Sequence, residues 1–360
     1  MKKSIIFVIA LLFLLTVFTA CDTSASQIRL GNNFSNINLL CGACDDENYV
    51  YYIAKDKKIM RISKETGKLT DMGVSTHFLG TLSIVDGYLY LDAADYGHGD
   101  VVPITPCRIN LNDIKDITYF DYETTNISSV REPVIVVNDT IYFAGGFQKI
   151  NRDGTGGAAI DDHLYQVIGA DNHSIYAYII SKDEIKEENQ ITKPMTWIYR
   201  LSPEWEIKQK LFQFCYDPKY ALEDGAFSGV SVFPIMFGEY LYCVEPTKYD
   251  TEKYGFCDYI LYRQRLSKNS EREVIVEFGN NYARILAVTD DGVYFYIEYI
   301  EETGTHVLSN IHRVNHDGTD LKELPYKYDV YNFDGDGYYF VSNTDGKLYC
   351  IIDNKILLVE

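Results

Sequence analysis

A turn followed by an aromatic run recurs seven times along the chain: "DENYVYY" at 46, "DGYLYL" at 86, "NDTIYF" at 138, "NHSIYA" at 172, "GEYLYC" at 238, "DGVYFY" at 291 and "DGYYFV" at 336. Each is followed by a second short run with an apolar residue and usually a base: "KIMRIS" at 58, "PCRINL" at 106, "FQKINR" at 147, "WIYRLS" at 197, "ILYRQRL" at 260, "NIHRVN" at 310 and "GKLYCII" at 346. A turn then leads to a third run, such as "GKLTDM", "REVIVEF" or "DLKELPY", and one more apolar stretch lies upstream, as in "VIVV" at 134 and "RILAV" at 284. The unit is four short strands, A to D. Such a unit cannot bury its own faces and has to stack on its neighbours, so the repeat decides the fold before any single residue does.

Strand B is apolar on both faces in several copies, for example Val293, Tyr294, Phe295, Tyr296 and Ile297. That pattern belongs to a strand sandwiched between sheets. Aromatic residues suit such strands, which accounts for much of the tyrosine count of 31 without invoking function. Asp-Gly pairs at 86, 153, 291, 317 and 345 supply the positive φ that tight hairpin turns need. Four-stranded units of about 47 residues, seven times over, predict an all-β chain: a single β-propeller with seven four-stranded blades. Six or eight blades remain open, since the copies lie 34 to 66 residues apart. If the first and last blades are each complete, packing between them must hold the ring shut.

The segments "IHRVNHDGTDLKEL", "FQKINRDGTG" and "IMRISKETGKLTDM" resemble the blade of the YWTD-like and TolB-like propellers. With its N-terminus, described next, the chain resembles bacterial lipoproteins that carry such a propeller as a domain of unknown function. The resemblance implies the fold over nearly the whole mature chain and no particular activity. Trp-Asp pairs, kelch signatures and Asp-box motifs are absent.

Lys2 and Lys3 precede an apolar run from Ile5 to Phe18, which reads as a signal peptide over residues 1–20. The run is shorter than the roughly 20 residues a spanning helix needs. "VFTAC" at 17–21 resembles a lipobox, with Phe18 departing from the usual leucine, and implies that Cys21 carries diacylglycerol on the extracytoplasmic side of the cell membrane. Residues 21–34 would then be the lipidated cysteine and a polar tether, and 35–360 the propeller. Removal of Lys2 and Lys3 from 33 basic residues leaves 31 against 52 acidic ones, a net charge of −21, which disfavours nucleic acid and other polyphosphate partners.

A propeller does not imply a function, so the site is sought in its loops. Strand parity puts the A–B and C–D turns on one face and the B–C and D–A links on the other. All the extra sequence falls on the second: "DAADYGHGDVVPIT" at 92–105, "SKDEIKEENQITKPM" at 181–195, "EPTKYDTEKYGFCD" at 245–258, "EYIEETGTHVLS" at 298–309 and the D–A link "QFCYDPKYALEDGAFSG" at 213–229. These segments offer Tyr96, His98, Asp100, Tyr216, Tyr249, Tyr254, Phe256, Glu298, Tyr299 and Glu301, a mixture suited to a protein partner or an envelope glycan. Read singly, each is an ordinary solvated loop residue.

No pattern calls for a cofactor, a metal or a catalytic residue. The histidines at 77, 98, 163, 173, 306, 312 and 316 have no ligand spacing, and HExxH, G-x-S-x-G and phosphate-binding loops are absent. "DGDG" at 334–337 reads as a turn before it reads as a calcium loop. Cys107, Cys243 and Cys350 read as core residues; Cys41-Gly-Ala-Cys44 has redox spacing with no second pair nearby, and a Cys243–Cys257 bridge is conceivable. The expectation is a monomeric binding or scaffold module. The alternative is a polysaccharide hydrolase or lyase using loop carboxylates, which a cluster of buried acids at the ring centre would favour.

Overall fold

The computed structural model describes residues 36, 39, 42–76, 81–94, 104–121, 134–143, 148–159, 165–171, 173–179, 195–215, 234–250, 255–300, 306–327 and 338–360. Blade 1 is β1 (Ala43–Asp45), β2 (Tyr49–Ile53), β3 (Lys58–Ser63) and β4 (Leu69–Ser75); blade 2 is β5 (Ser83–Val85), β6 (Tyr88–Ala94), β7 (Ile104–Asn110) and β8 (Ile117–Tyr119). Blade 3 is β9 (Val134–Val137), β10 (Thr140–Phe143), β11 (Gln148–Asn151) and β12 (Ala158–Ala159); blade 4 is β13 (Tyr165–Ala170), β14 (Ile175–Ile179), β15 (Met195–Leu201) and β16 (Ile207–Cys215). Blade 5 is β17 (Ile235–Phe237), β18 (Tyr240–Asp250), β19 (Gly255–Arg265) and β20 (Arg272–Gly279); blade 6 is β21 (Tyr282–Thr289), β22 (Gly292–Ile300), β23 (His306–Leu308), β24 (Asn310–Val314) and β25 (Lys322–Lys327). Blade 7 has three strands among the described residues, β26 (Tyr338–Val341), β27 (Leu348–Ile352) and β28 (Lys355–Leu358).

Within each blade the strands pair antiparallel in chain order, with β23 as an extra partner of β22. The first strands β1, β5, β9, β13, β17 and β21 adjoin one another in sequence, and β26 adjoins β1. The molecule is therefore a seven-bladed β-propeller, as the repeat predicts. Among the described residues no helix is long and apolar enough to cross a membrane.

The register explains the repeat residue by residue. The central aromatic of each strand B, namely Tyr51, Tyr90, Tyr142, Tyr176, Tyr242, Tyr294 and Phe340, is buried. Each faces the same position of strand C: Arg61, Arg108, Lys149, Arg200, Arg263, Arg313 and Tyr349 respectively. The base leans diagonally onto the residue that opens strand B. Arg61, Arg108 and Arg263 lie over the rings of Tyr49, Tyr88 and Tyr240 at 4.4, 4.3 and 4.8 Å. Such contacts contribute about 0.5–1 kcal/mol each at exposed sites. Where the opening residue has no ring the base finds another acceptor: Arg200 Nε donates to Ser174 Oγ at 2.8 Å, and Arg313 to the Asp291 carbonyl.

Every seam between blades carries a polar stitch. Thr76 donates to the Asp92 carbonyl (blades 1 and 2), Arg152 Nη2 to Asp86 at 2.6 Å (3 and 2), and Tyr142 Oη to the Pro203 carbonyl at 2.8 Å (3 and 4). Arg272 Nη2 donates to the Gln213 carbonyl at 3.1 Å (5 and 4), Tyr242 bonds His316 at 2.7 Å (5 and 6), and Tyr294 Oη donates to the Val359 carbonyl at 3.4 Å (6 and 7). Blades also meet at close range. A Cβ added to Gly169 of β13 would fall 2.5 Å from Met236 Cβ and 2.3 Å from its Sδ in β17. Gly169→Ala is expected to destabilise the fold by about 1–3 kcal/mol through overpacking, read as a lower denaturation midpoint with an unchanged m value.

The seventh seam closes the ring by more than the packing expected of two complete blades. Asp45, its side chain 1% exposed, accepts from Ser342 Oγ (2.6 Å), the Asn343 amide (2.5 Å), Thr344 Oγ1 (3.1 Å) and Lys64 Nζ (2.6 Å). Val341 pairs across with Leu348 of β27, yet its own amide donates to Asn36 Oδ1 (2.7 Å) and its carbonyl accepts from Asn36 Nδ2 (3.2 Å). One side-chain amide thus stands where an inner strand of blade 7 would pair, and Leu39 packs beside it against blades 6 and 7. Tyr52 Oη of β2 donates to Asn354 Oδ1 at 2.5 Å across the same seam.

Candidate binding face

Antiparallel pairing from inner to outer strand places the B–C connections of all blades on one face. Blade 5 departs most from the others there. β18 and β19 remain paired out to Asp250 and Gly255, whereas among the described residues β17 meets Tyr240–Tyr242. Residues 245–250 and 255–258, expected to be loop, are instead paired strand. The sequence misleads because Glu245 and Pro246 look like strand breakers. Pro246 pairs with Tyr259 of β19, and among the described residues no strand pairs with its other side, where a residue without an N–H is tolerated. Likewise β22 continues through Tyr299 to Ile300 and pairs with β23, so the described residues of the 298–309 segment are mostly strand. The blade 2 segment is shortened at both ends by β6 and β7.

Of the residues singled out in the sequence, Tyr249 and Phe256 are brought together as direct cross-strand partners in β18 and β19. Tyr299 pairs with Val307. Glu298 is corrected: it is no exposed loop acid but a buried strand residue whose carboxylate lies 3.4 Å from the equally buried Arg284 guanidinium. Tyr296, two residues earlier on β22, packs toward blade 7. Cys21, Tyr96, His98, Asp100, Tyr216, Tyr254 and Glu301 lie outside the described residues, as do Cys41 and the 334–337 segment.

Two partners of these strands escaped the sequence reading. Glu245 is buried in β18, paired with Arg272 of β20 and accepting from Tyr262 Oη at 3.2 Å; burial first, then Cys243 and Glu245, raise that tyrosine's pKa well above its ordinary range. Arg284 lies over the Tyr282 ring at 5.6 Å, and Tyr282 meets Tyr259 of blade 5 edge-on at 5.1 Å. The only available signal was a base in an otherwise apolar strand A, "ARILAV", with an acid following in strand B. Glu245 and Glu298 each face a guanidinium. Among the described residues no group of three or more His, Cys, Asp or Glu could hold a metal ion.

The described thiols Cys44, Cys107, Cys243 and Cys350 are buried and in no disulfide among the described residues. Burial, with Asp92 nearby, pushes Cys107 up to about 12, and burial pushes Cys350 up to about 11, so both are unreactive near neutrality. A Cys243–Cys257 bridge is ruled out by register. Cys243 pairs with Tyr262 and Cys257 with Lys248, five positions along the same ladder, or roughly 17 Å, whereas a disulfide needs Cα atoms within about 7 Å.

No family model matches the sequence, and no curated protein matches it. Solved structures similar to the chain include the oligogalacturonate lyase of Vibrio parahaemolyticus (TM-score 0.42, 11% identity, 73% of this chain and 78% of that one). The N-terminal domain of Nup159 gives 0.41 and 11% over 93% and 92%, and BamB of Moraxella catarrhalis 0.37 and 10% over 88% and 81%. Similarity at this level carries no argument about activity or partners.

Proposed function

We propose that the chain is a lipoprotein anchored through Cys21 on the extracytoplasmic side of the cell membrane, whose propeller binds a protein partner or an envelope glycan through its B–C face. The observation that carries the reading is the long β18–β19 ladder of blade 5, whose register sets Tyr249 opposite Phe256. A paired ladder costs less to order on binding than a free loop, and aromatic residues supply contact area with few rotatable bonds. The acidic balance favours basic or hydroxyl-rich partners over polyphosphates. The alternative, a polysaccharide hydrolase or lyase, draws no support from Glu245 and Glu298, because each is neutralised by its own arginine.

A thermal-shift screen of residues 22–360 against envelope saccharides, short basic peptides and divalent cations tests the reading. A ligand at a hundred times its Kd adds about 2.7 kcal/mol of stability. The expected result is a shift from a saccharide or peptide that disappears when residues 246–257 are replaced by a two-residue turn. A shift that survives this replacement would place the site elsewhere.

A further inference from the structure

His316 stands in the C–D turn of blade 6, against blade 5. Its Nε2 lies 2.8 Å from the Thr289 carbonyl oxygen and its Nδ1 2.7 Å from Tyr242 Oη. A carbonyl oxygen only accepts, so Nε2 carries a proton; the Tyr242 oxygen already accepts from Arg263, which directs its own proton to Nδ1 of a neutral imidazole. The ring lies flat on Phe237 of β17, with centroids 5.8 Å apart and planes at 14°. One side chain thus joins β17, β18 and the end of β21.

The charged groups around it come from each neighbouring element. Arg263 of β19 also bonds Tyr242 and is itself paired with Glu273 of β20 at 2.7 Å; Asp290 lies in the A–B turn of blade 6, and Asp317 follows in the chain. We propose that His316 makes the seam between blades 5 and 6 an acid-sensitive joint, locked while the imidazole is neutral and released when it is protonated. Protonation turns Nδ1 into a donor. The Tyr242 oxygen then faces two cations, imidazolium and the Arg263 guanidinium, and its own proton loses its acceptor.

The direction of titration agrees with the geometry. Burial chiefly, with Arg263 adding to it, lowers the His316 pKa below its ordinary 6.5, against the opposing pull of the Thr289 carbonyl and Asp290. A depressed folded-state pKa means that the stabilisation is complete above pH 6.5 and is lost as pH falls from there through the folded value. Both blades joined here carry extended ladders on the opposite face, so the joint sets the spacing of those ladders whatever they bind.

Hydrogen exchange followed by mass spectrometry at pH 7.5 and 5.0, corrected for the intrinsic rate, tests the proposal alongside NMR titration of labelled histidine. Protection of 235–244 and 284–296 is expected to fall several-fold at pH 5.0 while blade 2 is unchanged. His316→Gln keeps a neutral donor and acceptor and should abolish that pH dependence. Tyr242→Phe should loosen the seam already at pH 7.5 and raise the His316 pKa. Equal acid loss in wild type and His316→Gln, or a His316 titration at 6.5 with unchanged protection, would overturn it.

Discussion

Replacing Asp45 by alanine is expected to destabilise the propeller by about 3–5 kcal/mol, because several donors in the seam lose their acceptor at about 1–3 kcal/mol each, and to lower Tm on the order of 10 °C. Its carboxylate is the hub on which blade 7 closes against blade 1, accepting from three consecutive residues of blade 7 and from Lys64. Its removal leaves the Ser342 hydroxyl and the Asn343 amide without their acceptor inside the seam. Lys64→Met is the contrasting variant: the lysine is partly exposed, and three donors to Asp45 remain, so its loss should cost no more than about 1–2 kcal/mol. Guanidinium denaturation of both variants checks the ranking. Equal, small effects would mean that apolar packing alone closes the ring.

Arg284→Met should be nearly as damaging, at about 3–5 kcal/mol, because it leaves the buried Glu298 carboxylate without its cation. The double variant Arg284→Met/Glu298→Met should recover most of that loss, since two apolar side chains of similar length replace a buried pair at little net change. A double-mutant cycle measures the coupling directly. A value near zero would show that the two groups act independently, and would reopen Glu298 as an accessible acid on the binding face.

The repeat was legible in the sequence because its cause is local. Each strand B must bury an aromatic from Tyr51 to Phe340, each strand C must cover it, and the turn between A and B needs a residue tolerant of positive φ, as at Asp86 and Asn138. All seven B, C and D strands could be placed from that pattern alone. Strand lengths could not. The β18–β19 ladder passes through Glu245 and Pro246, and only a long partner strand shows that these positions are paired. Non-local pairs were likewise out of reach: nothing in the sequence links Asn36 to Val341, 305 residues away, or tells a solvated Glu298 from one facing an arginine across a bulged ladder. The choice of face followed from strand parity, whereas the cross-strand register that sets Tyr249 opposite Phe256 was not legible.

The central claim is that the B–C face, and not the face of short turns, meets the partner. Photo-crosslinking on intact cells tests it most directly, with a photoreactive amino acid placed at Tyr249 or Phe256 in one set of variants and at the exposed C–D turn residues Glu65 or Asp320 in another. The account predicts discrete adducts from the first pair and none from the second; adducts from Glu65 or Asp320 alone would contradict it.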